Sequence, residues 1–546
     1  MGVTVRSESR RRQGIDLWSG LVVLCALLLL APLIAVFIGV FQPTEEWQHL
    51  VSTVLPSYLL NTMILVIGVS LVSILFALPT AWFVATYEFP TRRFWKWALV
   101  MPLAVPTFAS AFTYFDVLEW SIPLIIKVRQ VWGFDASQWV EHLVRYGMLI
   151  LLLSSVLYPY LYLGLRSAFS KQQGVYFEAG RMLGKRPGSI FRRIALPMAR
   201  PALIAGLSLI VMEVVNEYGA VNLFGVPTLT EGIFRTWFGL GDRASGLRLA
   251  VIVVVIVFAI LAIEVWQRKR LRYVEGAQVN FSYQRVRLQW RSAWGVVLCC
   301  ALPVIVGFVF PVLRLGYWAI VATEDLNFAV FFKQALTSLT LASITALLLS
   351  LIAFFLAFSV RVHSHSFICK LVQASTLGYA IPSVVTAVGV MVLLGGMDQL
   401  LSDSSISLVL SGSLFAISFA YMVRFMTVAY QPLNASMQGV CSTLHEASRT
   451  LGQGNWQSLI RIHWPLLRVN ILACATLVFI DIMKELPLTL VLRPSDFETL
   501  ATFAFGYAKE GYIYDCALPS LLIIALGVWG LLVIERWVDK EASQSC

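Results

Sequence analysis

The chain has 546 residues, 58% hydrophobic and 13% charged, with a formal net charge of +11 and a mean hydropathy of +0.78. A water-facing globule needs far more charge on its surface, so this composition excludes a soluble enzyme or binding domain and makes a bilayer the natural solvent. The basic balance would suit a nucleic-acid ligand, but its distribution gives another account.

A helix crosses about 30 Å of hydrocarbon with about 20 mostly apolar residues. Taken in chain order, such runs lie at 17–41, 58–86, 98–120, 147–169, 201–224 and 247–266, then at 293–320, 335–360, 372–396, 406–430, 467–492 and 517–537. The pattern predicts an all-α membrane protein of about twelve transmembrane helices. The first run follows Arg6, Arg10, Arg11 and Arg12, is too long for a signal peptide and lacks a small-x-small cleavage site, so it is read as an uncleaved span. Arg92, Arg93 and Lys96 fill the link after the second run, and Arg268, Lys269, Arg270, Arg272, Arg285, Arg287 and Arg291 fill the mid-chain link. With both termini cytoplasmic, about thirty of the 41 Lys and Arg fall on the cytoplasmic side, which is the positive-inside pattern. That accounts for the charge without nucleic acid. The eight Cys and six His have no metal-ligand or redox spacing, and His363 and His365 read as a solvated link.

The chain also repeats itself. The segment from Glu178 to Arg200 aligns without a gap on Glu446 to Arg468 at an offset of 268: Glu178 on Glu446, Arg181 on Arg449, Leu183 on Leu451, Gly184 on Gly452, Arg193 on Arg461 and Pro197 on Pro465. A weaker repeat at an offset of 276 pairs Ala77 with Ala353, Ala81 with Ala357 and Pro106 with Pro382. A longer external link around 121–146 accounts for the difference. The chain thus reads as two six-span halves, 1–275 and 276–546, sharing one orientation. Each repeated segment is an amphipathic helix that turns at Gly184 or Gly452, where glycine permits positive φ. A second short helix is expected to end at Pro197 or Pro465.

Each segment resembles the EAA loop of ABC-importer permeases, at 178–197 and 446–465. The first carries Glu178, Ala179 and Gly180, and the second Glu446, Ala447 and Ser448, with Trp464 where the pattern has Leu. The small residues leave room for close approach to a partner. The resemblance implies that the two loops dock two copies of an ATPase subunit on the cytoplasmic side. It implies a type I importer permease fold in a bacterial inner membrane. ATP and Mg would be used by that partner, and this chain would bind no cofactor and hydrolyse nothing. Its nearest P-loop lookalike, Gly180 to Arg186, is one residue short and lacks the hydroxyl for magnesium.

Carboxylates inside spans point to function. Glu213 and Glu217 follow the first repeated segment, and Asp481 and Glu485 match them at offset 268. Spaced four apart, each pair is expected on one helical face. The four would line the outer part of a cation pathway across the pseudo-symmetry axis, since hard cations favour oxygen ligands. No metal site is assigned. The stretches 217–234 and 484–502 resemble the two halves of bacterial ferric-iron permeases, which receive cargo from a periplasmic binding protein. The links at 41–57, 121–146, 224–246 and 493–516 are the expected contacts, and Tyr114, Tyr218, Tyr507, Tyr512 and Tyr514 are further oxygen donors or aromatic-belt anchors. Thiamine or polyamine permeases remain an alternative, as does a gradient-driven carrier, which would need no ATPase dock.

Overall fold

The computed structural model describes residues 17–44, 46–172, 180, 182–271, 286–322, 327–362, 366–402 and 410–544. Glu178, Ala179, Arg181, His363, His365 and the basic residues Arg6, Arg10, Arg11, Arg12, Arg272 and Arg285 lie outside the described residues. In the first half the spans are α1 (Leu17–Gly39), α2 (Leu55–Thr86), α3 (Thr107–Glu119), α4 (Ile122–Gln172), α5 (Leu196–Asn216) and α6 (Arg243–Leu271). In the second they are α7 (Trp290–Val321), α8 (Phe328–Val362), α9 (Ser383–Ser402), α10 (Leu414–Gly439), α11 (Trp464–Met483) and α12 (Ala517–Gln544). Among the described residues ten helices pass the length and hydropathy test for a span, eleven if the bent pair around α3 counts as one, and a shorter apolar helix lies at Ala517–Val533. Among the described residues the β structure is one two-residue parallel pairing, Tyr87–Glu88 with Val286–Arg287.

The bilayer explains what is left uncovered. Leu24, Ile38, Leu71, Leu75, Leu298, Leu313, Phe332 and Ile344 are all exposed on α1, α2, α7 and α8. Facing lipid, such side chains cost nothing, whereas facing water they would form a forbidding apolar patch.

Two expectations change. The third span of each half is not straight. In the first half, Arg92–Ala104 meets α3 at 87°. In the second half the helix Ser366–Ser375 and the short turn Gly378–Ala380 precede α9. The breaks fall at the repeat-matched prolines. A proline pushes the residue before it out of the helical region, and Val105 (φ −82°, ψ 120°) and Ile381 (φ −84°, ψ 130°) are accordingly extended. The expected link 121–146 is helical instead. It extends α4 outward, with one break at Gly133, whose φ of +89° needs glycine.

The halves are not merely side by side. The first span of each half lies on the other half. Gly389 of α9 approaches α1 so closely that an added Cβ would sit 2.5 Å from the Pro32 carbonyl oxygen. Gly307 of α7 approaches α4 in the same way, 2.2 Å from the Ser155 carbonyl. Small residues at membrane helix crossings let backbones touch, and here they lock the two halves together. Arg314 of α7 adds an ion pair to Asp116 of α3 at 2.6 Å.

Candidate functional site

Two regions carry chemistry: a pair of elbows between α4 and α5 and between α10 and α11, and a cavity between the halves. The complete elbow is the second one. Its helix Ser442–Thr450 ends at Gly452, which has φ +77°. The Gln453 amide donates to the Ser448 carbonyl at 3.1 Å, closing the six-residue loop of a Schellman cap. The first elbow repeats this cap with Gly184 at φ +67° and the Lys185 amide donating to the Gly180 carbonyl at 3.1 Å. Leu183 and Leu451, matched at offset 268, stand 76% and 80% exposed at the two tips. Glu446 and Ala447 are exposed beside Leu451.

The small residue of the motif does something other than expected. Gly180 and Ser448 are both buried. A Cβ on Gly180 would lie 3.2 Å from Ile190 Cγ1 and 3.6 Å from Ile194 Cδ1. Smallness therefore lets the first elbow's own returning arm close on its helix, and the residue left bare at each tip is a leucine.

The prolines also act differently. The returning arm does not stop at Pro197 or Pro465; one helix continues from Pro187 to Asn216 and another from Asn455 to Met483. A proline cannot donate to the carbonyl one turn back, and the backbone answers by widening to a π turn, at Phe191–Ala195 and Leu459–His463. Trp464 follows this turn in the place of Leu196 and packs edge-on to Phe354 at 6.1 Å. The exit of the second elbow thus keeps the path of the first.

The N-terminal end of α1 lies on the same side. Trp18 donates its indole N–H to Ser359 Oγ at 3.1 Å and packs on Trp456 of the second elbow at 4.6 Å.

The cavity between the halves encloses about 120 Å³ and brings together Glu213, Glu217, Asp481 and Glu485 with Tyr160, Asn216, Tyr379, Arg424 and Lys484. The carboxylate pairs do not share a helical face. Helix α5 ends at Asn216, and Glu217 is extended (φ −65°, ψ 128°). Its Oε1 turns forward to accept the Ala220 amide at 2.9 Å. Helix α11 ends at Met483, and Glu485 Oε1 accepts the Leu488 amide at 3.3 Å in the matching way. Both glutamates cap the short helices that follow, and the unwound turns meet: a Cβ on Gly219 would lie 2.9 Å from Leu486. Glu213 and Asp481 remain on their helices. Glu213 Oε1 accepts from the Tyr379 hydroxyl at 2.7 Å, joining the halves. Asp481 pairs with Lys484 at 3.4 Å, and Lys484 also donates to the Leu103 carbonyl at 3.3 Å.

Arg424 is the residue the sequence reading missed. It sits on α10 with 3% exposure and lies 3.3 Å from Glu485, which is itself 7% exposed. Its Nη1 donates to the Ile381 carbonyl at 2.8 Å. Its repeat counterpart is Val156, so a search for matched charges passes over it. Among the described residues, no group of three or more His, Cys, Asp or Glu side chains could hold a metal ion; each carboxylate is tied to a separate partner.

The tyrosines divide. Tyr114 donates to the Val306 carbonyl at 2.8 Å, Tyr218 stacks on Phe234 at 3.9 Å and Tyr507 packs edge-on to Phe503 at 4.7 Å. Tyr512 and Tyr514 are exposed.

The model of the family described as "binding-protein-dependent transport system inner membrane component" matches residues 77–273 and again 371–540. The chain belongs to this family. The permease is thus two fused copies of the family's membrane unit, a multi-pass inner-membrane transport subunit. It is 25% identical over 471 residues to the Fe(3+)-transport system permease protein FbpB 2 of Haemophilus influenzae, covering 85% of this chain and 87% of that protein. It is 24% identical over 216 residues to the sulfate transport system permease protein CysT of Escherichia coli, covering 38% of this chain and 73% of that protein. A putative 2-aminoethylphosphonate transport system permease protein of Salmonella choleraesuis is 23% identical over 166 residues, 30% of this chain and 61% of that protein.

Proposed function

We propose that this permease is the membrane body of an ATP-driven importer of ferric iron, fed by a soluble binding protein on one side and driven by an ATPase dimer on the other. The observation that carries the motor side is the matched pair of elbows. Each is held by the same glycine cap and bares a leucine next to that glycine, and the second lies against Trp18. Two equivalent docks fit a two-fold motor, and a carrier driven by a gradient has no use for them.

The substrate side rests on charge and on coverage. Four acids face two bases in the cavity, a formal charge of −2. Such a field favours a cation and opposes sulfate or phosphonate. The Fe(3+)-permease relative matches along both halves, whereas the sulfate and phosphonate relatives match shorter stretches. Glu213, Glu217, Asp481 and Glu485 line the path in this reading, with Glu213 and Asp481 free of a capping role.

The test is uptake of radioactive ferric iron into vesicles holding the permease with its ATPase and binding protein. Glu213→Gln combined with Asp481→Asn should cut uptake while the ATPase still co-purifies. Unchanged iron uptake by that variant, or wild-type vesicles that take up sulfate and not iron, would overturn the substrate assignment. Uptake that survives ATP depletion and collapses with an uncoupler would overturn the motor.

A further inference from the structure

We propose that Arg424 is a tethered cation: it occupies the cavity between turnovers, neutralises Glu485, and admits only cargo of higher charge density than a monovalent ion. This rests on the reading of the cavity as a cation path.

The geometry supports a guest more than a structural pin. A buried arginine in a span is expensive unless its partners satisfy it fully. Arg424 has one good hydrogen bond, from Nη1 to the Ile381 carbonyl. Its Nε lies 3.3 Å from Glu485 Oε2 without hydrogen-bond alignment, so the pair is held by charge alone. The guanidinium lies 5.6 Å from the rings of both Tyr379 and Phe425. Aromatic faces hold a cation without fixing its orientation. Tyr379 in turn donates to Glu213, so the guanidinium stands between the carboxylate of one half and that of the other. The first half has Val156 at this position, so one tethered charge serves the whole cavity.

The consequence is selectivity. Coulomb energy scales with charge at a given distance. A monovalent ion offers Glu485 no more than the guanidinium already does, and the guanidinium is covalently held at high effective concentration. A trivalent ion offers three times as much and can displace it. Arg424 would thus bar sodium and potassium from a path lined with acids.

The probe is terbium(III), whose luminescence is sensitised by nearby tyrosines such as Tyr160 and Tyr379. Wild-type permease in potassium-free buffer should bind it in a way abolished by Glu213→Gln with Asp481→Asn. Potassium should displace it poorly from wild type. In Arg424→Gln the potassium concentration needed for half displacement should fall at least tenfold, and Arg424→Lys should restore it. The double variant Arg424→Gln with Glu485→Gln keeps the cavity's net charge and leaves no buried unpaired ion. It should also admit potassium, whereas a role through net charge alone predicts wild-type behaviour. Terbium binding that ignores Glu213 and Asp481 would sink the cation path itself. Terbium binding that needs those acids, with potassium competition unchanged in folded Arg424 variants, would sink the tether and leave the path standing.

Discussion

Gly378 offers the sharpest test of how the cavity is built. It opens the turn that carries Tyr379, and a Cβ added there would lie 1.8 Å from the Val423 carbonyl oxygen of α10. A carbon and a carbonyl oxygen need about 3.3 Å, so Gly378→Ala must push the turn about 1.5 Å off the helix that carries Arg424. That obstacle is backbone and cannot rotate away. Overpacking of this kind costs about 1–3 kcal/mol. The same shift takes the Tyr379 hydroxyl, now 2.7 Å from Glu213, out of hydrogen-bond reach. Gly395 of α9 is the control, since a Cβ there meets nothing within 4 Å; Gly395→Ala should stabilise its helix by about 0.5–1 kcal/mol. The two alanines should therefore differ by about 1.5–4 kcal/mol with opposite signs. Thermal unfolding in detergent, followed by labelling of the buried Cys300, Cys474 and Cys516 in a background where exposed Cys441 is Ser, reads the difference. A Gly378→Ala permease as heat-stable as Gly395→Ala would refute the close approach.

The remaining predictions concern the elbows and the buried pair. Leu183→Asp and Leu451→Asp should each weaken co-purification with the ATPase, and together abolish it, with little change in the permease's own melting. Glu485→Ala strands Arg424 as a buried unpaired charge and should cost about 3–5 kcal/mol, while Glu485→Ala with Arg424→Met should recover most of it; the same thermal assay separates them. Burial, then His463, Arg449 and Arg361, hold the His445 imidazole of the second elbow below its ordinary value of 6.5. The folded elbow therefore binds this proton less readily than the unfolded chain, so its stability is whole above about pH 6.5 and declines as pH falls below it. ATPase association measured from pH 8 to 5 should weaken over the acid part of that range, and His445→Gln should flatten the profile.

Much of the architecture was legible in the sequence because a bilayer enforces it. Apolar runs of spanning length and the placement of Arg and Lys gave the spans, and an ungapped repeat gave the two elbows with their glycine turns. The errors share a cause: the sequence pattern was extended as ideal helix through places where the backbone leaves it. Glu217 and Glu485 lie one or two residues past helix ends that no cap residue announces, so spacing by four misled. Pro106 and Pro382 match across the repeat, but the bend comes from the extended residue before each, Val105 and Ile381, which apolar periodicity does not mark. Pro197 and Pro465 looked like helix ends, and a widened turn absorbed them. Arg424 has no charged counterpart in the repeat, since its matching position holds Val156, so symmetry does not mark it. The packing partner of Gly180 could not be read at all, since it depends on how far the returning arm folds back.

The widened turn below each elbow has a mechanical meaning. One surplus residue in an otherwise regular coil is a joint that need not break to move: drawing the surplus out into regular helix swivels everything beyond it by about 100° about the axis. A rod so jointed turns a shove at its foot into rotation along its shaft. Glu213 and Asp481 ride on those two shafts, so a pull on Leu183 or Leu451 would be felt at the carboxylates as a change of facing.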